Sequence, residues 1–104
     1  MLAVKVSREF LVQGANNLDA LTDQVMEELL SLEGSTISES DVTAELSSSQ
    51  VTISVIAQAI SFDEAVLQGD SAIRTAIHAS GGHTPQWGNA SFEIKRSGAE
   101  LISA

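Results

Sequence analysis

Residues 78–89, HASGGHTPQWGN, hold both histidines of the chain, its only proline, its only tryptophan and three of its seven glycines. Imidazole changes charge near neutral pH, acts as general acid or base, and ligates metals. Asp70, Arg74 and His78 follow one another at i, i+4 and i+8, which lines them along one face of a helix. His83 and Trp87 stand just beyond it. Arg74, His78, His83 and Trp87 are therefore the candidate contacts for a small ligand or partner, in a pocket between the second helix and the last strand.

The same residues have a purely structural reading. An acid N-terminal to a base at i, i+4 is a favourable helix pair, so Asp70 and Arg74 are expected to face each other. His78 falls in a last turn, where the helix dipole favours a basic side chain. Gly81-Gly82 stop that helix. Trp87, beside Pro85, folds back as a lid over one end of the core. The two histidines are five residues apart across a glycine pair, not at the i, i+4 spacing of helical metal ligands. A metal would need carboxylates brought from elsewhere, so no metal and no cofactor are expected. The chain has no phosphate-binding loop, dinucleotide fingerprint, nucleophile elbow or zinc-protease helix. No catalytic residue is assigned.

Composition bounds the function further. With no cysteine, disulfides, thiol catalysis and cysteine-held metals are excluded within the 104 residues. Fourteen acids against five bases give a net charge of −9, which repels phosphate backbones and anionic lipid. The first residues lack a basic region followed by an apolar run, and no apolar stretch approaches the roughly 20 residues of a membrane span. A soluble cytoplasmic domain with neither nucleic acid nor membrane as partner is the expectation.

The elements that must position the candidate residues follow from periodicity. Leu2, Val4, Val6, Phe10 and Val12 alternate along a first strand, with Arg8 the one misfit on their face. Asn16 or Asn17 caps a helix with the stripe Leu18, Leu21, Val25, Leu29 and Leu32, which Gly34 ends. Two further strands flank the serines of SSSQ, with Val42, Ala44 and Leu46 on one and Val51, Ile53, Val55, Ala57 and Ala59 on the other. Ser61 and Glu64 form a capping box for a second helix, in which Gly69 lies on the buried stripe and signals close packing against the sheet. Phe92 and Ile94 mark a last strand, SFEIKRS, and GAELISA is left as a tail.

The order β-α-β-β-α-β predicts one ferredoxin-like α+β domain over 1–104: a four-stranded antiparallel sheet with both helices on one face. The first and third strands are central, with the fourth beside the first. The covered face takes Val4, Val6, Val42, Leu46, Val51, Ile53, Val55 and Ile94. The open face takes Lys5, Ser7, Glu9, Thr43, Glu45, Thr52, Ser54, Ile56, Gln58, Glu93 and Lys95. That face lacks the stacking aromatics of RNA-binding sheets. Pairing of the first and fourth strands is expected to set Lys5 beside Lys95, either in cross-strand charge pairs with Glu9 and Glu93 or as an anion site. The first helix carries Asp19, Asp23, Glu27, Glu28 and Glu33 without a base, while Met26 and Leu30 form a second apolar strip and a candidate interface.

The string RTAIHASGGHTPQW, Arg74 to Trp87, with VTISVIAQAI before it, resembles a group of small uncharacterised actinobacterial proteins of about this length. The resemblance implies a ferredoxin-like domain and carries over no activity and no functional residues. Together these readings favour a non-enzymatic protein-association module that self-associates as a homodimer. The alternative is a small-molecule binder or enzyme using the pocket near the second helix and residues 81–89.

Overall fold

The computed structural model describes residues 1–15, 17–80 and 91–103. The elements are β1 (Leu2–Gln13), α1 (Leu18–Leu32), β2 (Ile37–Glu45), β3 (Gln50–Ala59), α2 (Phe62–Ala79) and β4 (Ser91–Ser103). The strands form one antiparallel sheet in the order β2-β3-β1-β4. This is the ferredoxin-like arrangement, with β1 and β3 central.

Local chemistry starts both helices. The Asn17 side chain accepts the Ala20 amide, 3.1 Å, and Ser61 accepts the Glu64 amide, 3.2 Å. Only half of the expected box forms at α2, because the Glu64 carboxylate accepts from Gln68 Nε2 instead. α1 ends at Leu32 with Glu33 as its cap, and the expected stop, Gly34, follows directly.

The inner sheet face is built from Val4, Val6, Phe10 and Val12 of β1 and Val51, Ile53, Val55 and Ala57 of β3. Val25 and Leu29 of α1 and Ala65, Ile73, Ala76 and Ile77 of α2 close over it. Phe92 joins from β4, meeting Phe10 edge-on with ring centroids 5.5 Å apart. Gly69 is where α2 comes nearest to β1: a Cβ there would lie 2.6 Å from Val6 Cγ2. Glycine costs a helix about 1 kcal/mol relative to alanine. Here it gives the helix a seat that any side chain would occupy.

Three expectations change. Leu46 lies in the β2–β3 turn and is 61% exposed, not on the covered face. Ile94 does share the face of Phe10, but the helices do not reach it and it stays half exposed. The largest change concerns β4, which does not end at Ser97 but continues through the supposed tail to Ser103. Its pairing with β1 slips twice, between Glu9 and Phe10, leaving Lys95 as the extra residue of a bulge, and between Ala3 and Val4, where Ile102 is the extra residue. Such a slip reverses which face each following side chain takes. Lys5 and Lys95 are consequently not neighbours. Lys5 stands opposite Glu100, and Glu9 opposite Arg96. The open face thus sets unlike charges against each other, and no paired lysines remain to bind an anion.

Candidate functional site

α2 carries Asp70, Arg74 and His78 on one side, and these residues with Leu67, Ser71 and Thr75 line a groove of about 340 Å³. Arg74 and His78 are exposed, as the helical spacing predicts. His83 and Trp87 lie outside the described residues. Met26 is half-buried on α1 and Leu30 half exposed, so of the candidate strip only Leu30 presents a broad apolar surface.

Asp70 does not serve Arg74. Its Oδ1 accepts from Arg8 Nε at 3.1 Å, the ion pair the fold closes between β1 and α2. This accounts for the strand's misfit. Arg8 points to the helix side among valines and phenylalanine, with its side chain only 10% exposed. It stands two residues along β1 from Val6, which Gly69 approaches, and the adjacent Asp70 meets it directly. Its Nη1 donates to the carbonyls of Ser7, 2.9 Å, and Gly98, 3.3 Å. A single guanidinium therefore ties α2, β1 and β4 together. A charge at this depth is tolerated only when paired and hydrogen-bonded, and Arg8 is both. The sequence signal was a lone base on an otherwise apolar strand face.

A second carboxylate is used structurally at the other edge. Ser40 donates its amide to Glu33 Oε2 at 2.9 Å, and this hydrogen bond from the Ser40 backbone holds the Glu33 carboxyl below its ordinary value. It pins the irregular part of β2, where the pairing slips between Ser38 and Asp41 and Glu39 adopts a left-handed φ of 47°.

The surface that periodicity alone does not reveal is β4 itself. It pairs with β1 on one side and, among the described residues, with no strand on the other. Ile94, Leu101 and Ile102 are each about half exposed along it. Thirteen residues of edge backbone flanked by branched apolar side chains make a template for another strand. Among the described residues, no group of three histidine, aspartate or glutamate side chains is placed to hold a metal ion, and no helix is long and apolar enough to cross a membrane.

Comparison with protein-family models, with curated proteins and with solved structures found no match to this chain. The reading of function therefore stands on the geometry.

Proposed function

We propose that this chain is a protein-association module that works as a homo-oligomer, a homodimer in its simplest form. The observation that carries the reading is the long β4 edge with Ile94, Leu101 and Ile102 half exposed. Natural sheets blunt such edges with short strands, prolines, charges or a covering element. β4 has thirteen residues, no proline and apolar side chains at both ends, and between its bulges at Lys95 and Ile102 it runs unbroken from Arg96 to Leu101. Charge adds to the argument. A net charge of −9 keeps copies apart at long range, so a self-contact must come from a surface where bases and acids alternate. Glu93, Lys95, Arg96 and Glu100 provide that on β4. The module acts in the cytoplasm with protein partners, without nucleic acid, membrane or cofactor. Its kinship to the small actinobacterial proteins belongs to the same proposal.

Light scattering on the pure protein tests this directly. The expected mass is twice the 10.9 kDa of the chain at tens of micromolar. A single-protomer mass persisting at high micromolar concentration overturns the proposal.

A second reading draws on the groove that brings Arg74 and His78 together beside Asp70. A cationic and an imidazole side chain on one wall suit a small carboxylate or phosphate ester. Trp87 is the sole tryptophan and stands nine residues beyond His78 in sequence. Its fluorescence is expected to shift when such an anion binds. A panel of anionic metabolites that leaves the emission unchanged removes this reading.

A further inference from the structure

We infer that two copies of this chain pair β4 against β4 about a twofold axis through Gly98, joining their sheets into one of eight strands. This rests on the self-association reading above and specifies its surface and register.

The sheet has two edges, and they are unlike. β2 carries Glu39, Asp41 and Glu45 and no base. Two copies of β2 side by side would set acid against acid, which destabilises strand pairing. The edge is also bent by the slip at Ser38–Asp41, and the Ser40 amide is already taken by Glu33. β4 is long and carries both signs of charge.

Register follows from elementary geometry. Directly opposite residues in an antiparallel pair point to the same face, so a twofold axis between identical strands passes through a residue, not between two. An axis at Gly98 places Arg96 opposite the partner's Glu100, and by symmetry Glu100 opposite the partner's Arg96. Ser97 then meets the partner's Ala99, and Ile94, turned to the covered face by the bulge at Lys95, lies on the same side as the partner's Leu101. Neighbouring registers lose these matches. An axis at Ser97 sets Arg96 against Gly98, and one at Ala99 sets Glu100 against Gly98. Only the Gly98 register pairs Arg96 with Glu100.

Among the described residues, nothing in its own chain requires the side chain of Gly98 to be absent. A Cβ there would meet nothing within 4 Å, so neither packing nor a close approach calls for glycine. Arg96, Gly98 and Glu100 share the open face. At the axis, the missing side chain leaves room for the two Arg96–Glu100 pairs to lie across the seam. Above the sheet, the Arg8 guanidinium donates to the Gly98 carbonyl and steadies the strand at the point where the copies meet.

The chain has no cysteine, so one introduced thiol reports a single contact. Gly98→Cys has space for its side chain. At the axis its Cα lies about 4.5–5.5 Å from its mate, within disulfide reach. Ser97→Cys would be displaced by two residues along the strand from its mate, beyond the roughly 7 Å limit. Mild oxidation is expected to link Gly98→Cys into a covalent dimer at least about tenfold faster than Ser97→Cys. Arg96→Cys/Glu100→Cys, whose two thiols are too far apart to close within one extended strand, is expected to cross-link as well and keeps the test open should Gly98→Cys not fold. A wild-type dimer in which neither variant links, or in which Ser97→Cys links equally fast, places the contact on another surface. That result overturns this inference and leaves self-association standing. A wild-type monomer overturns both. Open-ended polymers would mean β4 meets β2 of the next copy, which also excludes the twofold.

Discussion

Asp70→Ala is expected to cost about 2–3 kcal/mol, because it leaves the Arg8 guanidinium largely buried without its counter-charge. A fully buried pair would lose more, but the Asp70 side chain is 28% exposed, so solvent already screens part of the attraction. Removing the other partner behaves differently. Arg8→Met fills the space between Val6 and Phe10 with an apolar chain of similar length, and the orphaned Asp70 can turn to water. That change is expected to stay within about 1 kcal/mol of wild type, as replacement of buried ions by apolar groups often does. In the double variant, Asp70→Ala has nothing left to strand, and most of its cost should vanish. Urea midpoints at one fixed protein concentration measure all four corners of this cycle. Costs that simply add would show that the 3.1 Å contact carries no coupling. Because Arg8 also holds the Gly98 carbonyl, amide exchange along residues 97–99 should quicken in Asp70→Ala.

Arg8 also marks the limit of what periodicity can reveal. A base on an apolar strand face announces a buried partner, yet the partner lies 62 residues away. Local helix logic instead assigns Asp70 to Arg74, four residues on, and the tertiary contact overrides it. The architecture was legible because each local preference agrees with it: Asn17 and Ser61 cap the helices, SSSQ turns the hairpin, and Gly69 sits where α2 touches Val6. β4 departs from simple alternation where its phase changes, at Lys95. Phe92 and Ile94 fall on even positions, whereas Ala99 and Leu101, which face the same way, fall on odd ones. A change of phase within one strand requires an extra residue, and Lys95 is that residue. Read as an interruption, the change of phase ends the strand at Ser97. Read as a bulge, it extends the strand to Ser103 and exposes the edge. Of the candidate site, helical spacing alone brings Arg74 and His78 to one groove. No periodicity could indicate that β4 is the surface left open, since that depends on which strand pairs with which.

The anchoring of that edge leads to the other large effect. Phe92 is 1% exposed and meets the Phe10 ring at 80°, an edge-to-face contact that fixes the beginning of β4 to the core. Phe92→Ala removes this ring and leaves a cavity beside Phe10, at an expected cost of about 3–5 kcal/mol. For a domain whose whole stability is on the order of 5–15 kcal/mol, that is a substantial share. The melting temperature should fall by more than about 12 °C, since each kcal/mol is worth roughly 4–8 °C at this size. A fall of under about 4 °C would mean the ring contributes little packing. Ile94, two residues along, separates the anchor from the edge. It is half exposed, so Ile94→Ser should cost the isolated protomer no more than about 1 kcal/mol. If β4 is the surface through which copies meet, the same change removes an apolar contact from each side of the seam, and dissociation should move to higher protein concentration. Phe92→Ala would weaken association too, but only by loosening the strand that presents Ile94, Arg96 and Glu100, and its loss of stability would be visible in the monomer. A variant that separates the copies while leaving monomer stability intact identifies the edge, and Ile94→Ser is the substitution placed to do so.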